Sequence, residues 1–260
     1  MSIDSFRLLN FGIIVFAALV LVLLERAIPY NKGQKFFREG FFNDFVLYTF
    51  VQSFILGLLI SYFIEYLDLF SGLSKYRLLS EWPIWLQVVF FVITHDIYVY
   101  MFHRLQHRNK YLWRIHEAHH STKDVDWLAG ARSHSLEILI NQTIEFAPIV
   151  LLGAAPETAV LKGTISAIWG MYIHSNIDVK MGGLQYLLNG PEMHRWHHSN
   201  DNKEAHNRNF STKLAIWDWL FSTAYFPKNK KPGKYGLGEK NFPSNYLKQH
   251  IFAFRKFNKT

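Results

Sequence analysis

The sequence predicts an all-α integral membrane protein, a helical bundle that carries a histidine-rich metal-binding cap on its cytoplasmic side. Half of the residues are hydrophobic and only 18% are charged, against about a quarter in ordinary soluble domains. Long apolar stretches recur along the chain, and thirteen histidines accompany them. Because the chain has no cysteine, disulfides, thiolate-ligated haem and cysteine-ligated clusters are excluded, and any metal must be held by nitrogen or oxygen.

Three apolar stretches approach the roughly 20 residues that a membrane-spanning helix needs. They cover residues 8–24, 45–67 and 82–102. A cleaved signal peptide is the alternative for the first stretch. It ends in Glu25 and Arg26 instead of small residues, so we expect it to be retained as a helix.

A fourth apolar stretch, residues 136–173, is long enough for two helices with a break near 153–157. It contains Glu137, Glu145 and Lys162. Ionisable groups are costly inside a bilayer. We therefore expect a re-entrant or partly interfacial hairpin here, and not two clean spans.

Basic residues are concentrated in the loop 31–40, in the residues that follow the third span, and in the tail from Lys228 onward, which holds nine Lys or Arg against one Glu. The positive-inside rule places these three regions in the cytoplasm. This distribution accounts for the formal charge of +8 without nucleic acid as a partner.

We expect one domain over residues 1–260. Residues 1–94 mainly supply the N-terminal spans, residues 95–225 form the core that carries the clustered histidines, and residues 226–260 form a basic tail. Such a tail is typical of a solvated segment near anionic headgroups.

Eight histidines form three clusters at spacings of one, three or four residues: His103 and His107; His116, His119 and His120; His194, His197 and His198. Spacings of three and four place side chains on one helical face. The pattern H-x-x-H-H occurs twice, which is rare by chance. Eight clustered imidazoles suit two metal ions, each with three or four ligands and an open position.

Two other classes of protein remain open. His116, Glu117 and His120 also form the H-E-x-x-H pattern of zinc metalloproteases, but such an enzyme has no use for the other clustered histidines. Arg195 stands in the later cluster where Glu117 stands in the earlier one, so the shared feature is H-x-x-H-H. We expect Glu117 to lie behind the metal ligands or face solvent. A metal-binding transporter or sensor would carry polar groups in every span, and the first two spans have few.

Further residues are candidates for the same site. His174 is expected to be a ligand. Asp178 is expected to bind a metal or to orient a ligand; a helix-terminal or turn aspartate is the alternative. Asp96 is expected to accept the second ring N–H of a ligand histidine; a buried hydrogen-bonding aspartate is the alternative. His134 is placed either near the metal or at the interface. Surface positions are expected for His206 and His250.

All-imidazole sites suit zinc, copper or iron. A redox metal with an open position beside a bilayer indicates dioxygen chemistry on an unactivated C–H bond, with electrons from outside. Because the chain has no G-x-G-x-x-G fingerprint for a flavin or nicotinamide, a partner must supply the electrons.

These segments resemble the sterol desaturase/fatty acid hydroxylase superfamily, in order from about residue 95 to 225: "HDIYVYMFHRLQH", "WRIHEAHHSTKDVDW", "ARSHSLE", "HSNID", "HRWHHS" and "NFSTKLAIWDWLFSTAY". The resemblance implies a membrane-embedded non-haem di-iron enzyme that takes two Fe ions, O2 as co-substrate and an external donor of the cytochrome, ferredoxin or reductase type. The implied substrate is a lipid of sterol, fatty acyl, alkylglycerol or carotenoid type, which is hydroxylated or desaturated. The implied ligands are the eight clustered histidines, with His174 as the ninth.

Overall fold

The computed structural model describes residues 1–238 and 241–256. Within these ranges the chain forms the following α-helices: α1 Ile3–Ala27, α2 Ser53–Ser71, α3 Ile84–Arg108, α4 Lys110–His116, α5 Ser135–Leu151, α6 Pro156–His174, α7 Pro191–His197, α8 Ile216–Leu220 and α9 Tyr246–Phe252. A π-helix, Asn43–Gln52, leads directly into α2. In the described residues β-structure is limited to two isolated bridges, so the all-α prediction is confirmed.

Three helical segments are long and apolar enough to cross a membrane: Ile3–Ala27, Asn43–Ser71 and Ile84–Arg108. They contain or closely match the three predicted spans. Large apolar side chains of α2, such as Phe54, Leu59 and Phe63, are exposed on the outside of the bundle. Apolar surface of this extent is expected to face lipid.

The stretch 136–173 forms the predicted helical hairpin, α5 and α6. Gly153 lies between them with φ +67°, and a Cβ atom there would be 2.8 Å from the Cα atom of Arg77. Pro156 occupies the first turn of α6, where its missing N–H costs nothing. The break in the apolar pattern is therefore a tight turn that only glycine fits.

The hairpin lies between the other long helices. α1 packs along α6, α2 packs along α5, and α3 contacts both. Leu56, Ile60 and Ile64 of α2 form an apolar cluster with Ala147 of α5. This packing places the C-terminal ends of α1, α3 and α6 and the N-terminal ends of α2 and α5 at one end of the bundle.

The connecting segments at that end form a cap held by buried ion pairs. Arg38 binds both carboxylate oxygens of Asp126 at 2.7 Å, and its Nη1 atom lies 2.8 Å from Asp44. Arg132 binds Asp44 at 2.7 and 2.9 Å. These contacts tie the loop after α1 to the loop after α4, both of which frame the histidine clusters.

Helix α9 packs on this cap, which differs from the solvated tail that the sequence predicts. The hydroxyl of Tyr48 donates to Oε1 of Gln249 at 2.6 Å. The amide of Ser135 donates to Nε2 of His250 at 3.1 Å, so His250 is not a simple surface residue. Part of the predicted basic tail lies outside the described residues, namely 239–240 and 257–260.

Candidate metal centre

Nine histidines meet in the cap in two adjacent groups. The first group consists of His103, His107, His116, His120 and His197. The second group consists of His119, His174, His194 and His198. Within each group, one ring nitrogen per histidine lies within 4.8 Å of all the others. The structure thus brings together every histidine that the sequence indicates as a ligand.

Each H-x-x-H-H motif divides its imidazoles between the two groups. In the earlier motif His116 and His120 belong to the first group and His119 to the second. The chain changes there from α4 to a 3₁₀ turn, His119–Ser121. In the later motif, the assignment is reversed: the outer pair, His194 and His198, lies in the second group and His197 in the first. The two motifs therefore bridge both groups.

The Nε2 atoms converge at distances typical of ligands on one ion. In the first group, Nε2 of His120 lies 3.2 Å from that of His116 and 3.1 Å from that of His197. In the second group, Nε2 of His174 lies 2.8 Å from that of His194 and 3.2 Å from that of His119. Nitrogens bound about 2.1 Å from one ion, at roughly right angles, lie about 3 Å apart.

Hydrogen bonds on the opposite ring edge fix the tautomers. Nδ1 donates to a backbone carbonyl in four rings: His103 to Phe210 at 2.7 Å, His119 to Arg132 at 3.2 Å, His174 to Gly170 at 2.7 Å and His197 to Arg208 at 2.8 Å. A carbonyl oxygen only accepts, so the proton is on Nδ1 and the Nε2 lone pair points into the group.

The donor set fits metal ions. Nε2 of His103 and of His107 is buried and has no hydrogen-bond partner among the described residues. Burial lowers the pKa of His174 to about 4. The pKa values of His120 and His198 also lie well below the usual value, mainly because the rings are buried and secondly because other histidines lie close by. These three rings are therefore neutral near pH 7, which is the form that binds a metal.

Glu137 is a site residue to which the sequence analysis assigned no role. Its Oε1 atom accepts from Nδ1 of His116 at 2.8 Å and from Nε2 of Gln106 at 2.9 Å. A carboxylate behind a ligand histidine fixes the ring and raises its basicity. Its occurrence in an otherwise apolar stretch, where charge is costly, was the feature that could have indicated this role.

Asp96 and Asp178 take the alternative roles considered for them, away from the ring nitrogens of the two groups. Asp96 accepts from Thr212 Oγ1 at 2.8 Å and from the backbone amides of Lys213 and Leu214 at 2.9 Å, so it anchors the segment before α8, which is the alternative considered for it. Asp178 accepts from Nζ of Lys231 at 3.0 Å and is partly exposed. Among the described contacts neither carboxylate reaches a histidine of the two groups.

Glu117 is buried and faces away from the ring nitrogens. Its Oε2 atom accepts from Nη2 of Arg255 at 2.9 Å, and its Oε1 atom accepts from Nη1. Of the two positions expected for Glu117, behind the metal ligands or facing solvent, the structure excludes the second. A zinc protease needs this glutamate at the metal, so the contact does not favour that class.

The remaining histidines lie outside both groups. The ring of His134 is 4.6 Å from that of His250, measured between centroids, and Nδ1 of His134 accepts from the amide of Leu136 at the start of α5. His206 is exposed, as predicted.

A cavity of about 210 Å³ adjoins the two groups and lies among α3, α5 and α6. His103, His116, His119 and His194 line it on the side of the cap. His95, Glu145 and Trp169 line it deeper in the bundle. The cavity is thus a space in which part of a ligand can lie beside the converging imidazoles.

Apolar helices beneath a cap of converging imidazoles define a helical membrane protein with a histidine-built site suited to two metal ions. The family model for fatty acid hydroxylases matches residues 88–223, slightly more than half of the chain. The chain belongs to the fatty acid hydroxylase family, within the sterol desaturase superfamily that the sequence resembles. No solved structure matches the chain.

Several curated proteins are similar to this chain. Ornithine lipid hydroxylase OlsE of Rhizobium tropici is 33% identical over 158 residues, which are 61% of this chain and 47% of that protein. Human alkylglycerol monooxygenase is 30% identical over 142 residues, 55% of this chain and 31% of that protein. Methylsterol monooxygenase 1 of Rattus norvegicus is 30% identical over 149 residues, 55% and 49% respectively. The chain spans less than half the length of each.

Proposed function

We propose that this chain is a membrane-bound non-haem di-iron oxygenase that oxidises a C–H bond of a lipid with O2 and external electrons. The observation that carries the proposal is the convergence of nine imidazoles, eight buried and that of His107 half-buried, into two adjacent groups beside a cavity among the apolar helices. Family membership supports it, as do the relatives, which are named as lipid hydroxylases or monooxygenases.

The first and second groups would each hold one iron ion, and the bound pair would supply the activation of O2. The residues of this chain do the rest. Backbone carbonyls and Glu137 hold the rings with their Nε2 lone pairs inward. Burial of the rings excludes water, and the cavity positions the lipid carbon next to them.

Hydroxylation is favoured over desaturation because the three relatives above are named a hydroxylase or a monooxygenase. The substrate is a lipid of the sterol, fatty acyl, alkylglycerol or carotenoid type. Residues 95–225 form the catalytic core of one domain over 1–260. Asp96 supports this core at a distance from the metals.

The electrons come from a partner protein of the cytochrome, ferredoxin or reductase type. The distribution of loop charges supports a cytoplasmic position for the cap, where such a donor would reach it. Lipid enters from the membrane on the other side of the metal groups. Nucleic acid has no part in this function.

Comparative lipid profiling under ¹⁸O2 tests the proposal. Cells that express the chain are expected to accumulate a lipid with one labelled oxygen atom, and purified protein is expected to contain two iron ions. His194→Ala is expected to abolish the product, whereas His206→Ala, which removes an exposed histidine, is expected to retain it. A single ion per chain, or unchanged metal content and turnover in His194→Ala, would overturn the proposal.

A further inference from the structure

A buried polar cluster lies in the bundle below the metal groups. Nζ of Lys162, a fully buried side chain, lies 2.7 Å from Nδ1 of His95 and contacts Oε1 of Glu145. The hydroxyl of Ser166 donates to the same Glu145 oxygen at 2.7 Å. Charged groups at such a depth are costly and commonly mark a functional site, and the metal groups account for none of them.

The Lys162–Glu145 pair determines which nitrogen of His95 carries a proton. An ammonium group only donates, so Nδ1 of His95 accepts from Lys162 and the ring proton is on Nε2. This Nε2 atom is buried and has no hydrogen-bond partner among the described residues. The cluster therefore leaves one N–H donor unsatisfied.

A second unsatisfied donor lines the same cavity. Nε1 of Trp169 on α6 is buried and lacks a partner within the described part of the chain, and indole nitrogen only donates. His95 and Trp169 both line the cavity that reaches His103 and His194. A hydrocarbon segment would leave both donors unpaired, whereas an oxygen atom of a ligand would satisfy them.

An apolar groove of about 210 Å³ adjoins this cavity between α3 and α5. Phe90, Phe91 and Ile144 line the groove, and His95 and Glu145 line both the groove and the cavity. A molecule that crosses this boundary meets apolar side chains on one side and polar donors on the other. The two spaces together suit an amphiphilic lipid.

We propose that His95 and Trp169 bind a neutral oxygen of the substrate, in a hydroxyl, ether or carbonyl group, while the hydrocarbon chain lies in the groove between α3 and α5. This inference rests on the proposed oxygenase function and names its substrate class. His95 and His103 are eight positions apart on α3, or about 12 Å along the helix axis. Phe90 and Phe91 of the groove precede His95 on α3, whereas His103 follows it, so the polar part of the lipid, and not the distal end of its chain, extends towards the metal groups.

Binding of two matched probes tests the proposal. Purified full-length protein with its metal is equilibrated with radiolabelled cetyl alcohol or hexadecane in the same detergent, without O2 or reductant, so that no turnover occurs. The wild type is expected to bind the alcohol about tenfold more tightly. His95→Phe and Trp169→Phe are each expected to weaken binding of the alcohol about fivefold and to leave hexadecane unchanged.

Thr49→Val is the matched control, because the Thr49 hydroxyl donates to the backbone carbonyl of Asp44 and Thr49 lines neither the cavity nor the groove. This control variant is expected to bind both probes with the affinity of the wild type. The inference would be overturned if the wild type bound both probes with equal affinity, or if the variants lost affinity for both probes to the same extent. If His95→Phe does not retain metal, Trp169→Phe decides by the same criteria.

The outcome is separable from that of the proposed function. Unselective binding together with a labelled lipid product would reject this inference and leave the oxygenase intact. Selective binding without any labelled product would reject the oxygenase. Fragmentation of the labelled lipid adds a second measurement, since the new oxygen is expected in the polar part of the molecule.

Discussion

Nδ1 of His116 donates a 2.8 Å hydrogen bond to Oε1 of Glu137, a residue 21 positions further along the chain. Gln106 donates to the same oxygen at 2.9 Å. One carboxylate thus connects α3, α4 and α5 directly behind the first histidine group. The orientation of a ligand ring in the cap depends on a residue of the hairpin that lies among the spanning helices.

Glu137→Ala is expected to weaken metal binding by the first group about 10- to 100-fold, since loss of such a partner removes the fixed orientation and basicity of the ring. Metal titration of the purified, metal-depleted protein measures this. Glu39→Ala is the control, because Glu39 pairs with Lys123 on the exposed surface, where ion pairs contribute little. Unchanged affinity in Glu137→Ala would show that the carboxylate has no such role.

The two groups are expected to lose metal separately. His120→Ala removes a ring of the first group and His198→Ala a ring of the second. Each variant should retain about one of two ions, because the other group keeps its full set of ligands. Elemental analysis of the purified variants measures this, with His206→Ala as the control. Loss of all metal in both variants would mean that the two groups act as one site.

The histidine clusters and the spans were predictable because both are local patterns. Spacings of three and four specify a helical face, and apolar length specifies a span. The division of each H-x-x-H-H motif between two groups was not predictable, because it depends on the 3₁₀ turn at His119 and on the approach of α7.

Long-range contacts decide the roles of the residues whose alternatives the sequence left open. Asp178 was placed near the metal by its four-residue spacing from His174, but α6 ends at His174, so the helical relation does not continue. Glu117 follows His116 directly, yet its partner Arg255 is 138 residues away. Asp96 binds backbone amides of residues 213 and 214. Contacts at such separations leave no periodic pattern in the sequence.

Gly130→Ala is expected to damage the second group selectively. A Cβ atom at Gly130 would lie 2.7 Å from Nδ1 of His174 and 3.2 Å from the carbonyl oxygen of Gly170, the two atoms that form the hydrogen bond holding the ring. Displacement of the ring is expected to lower the metal affinity of that group at least tenfold. The metal content of the variant measures the effect.

Gly163→Ala on α6 is the matched control for this change. A Cβ atom there would lie 3.5 Å from Cζ of Phe146, which is an ordinary van der Waals contact. The control is expected to retain both ions and to gain slightly in stability, since alanine favours a helix interior. Full metal occupancy in Gly130→Ala would contradict the close packing of the 3₁₀ turn Ala129–Ala131 against His174.

Glu117→Gln is expected to change the stability of the protein without changing its oxygenase turnover. The variant removes the charge that faces Arg255, so its free energy of unfolding is expected to fall by about 1–3 kcal/mol. Metal content and oxygenase turnover are expected to stay within about twofold of the wild type, because the carboxylate contacts Arg255 and not the ring nitrogens. Asp4→Asn, which breaks an exposed pair with Arg7, is expected to change neither quantity. Loss of turnover by orders of magnitude with metal retained would instead make Glu117 a catalytic base, as in a zinc protease.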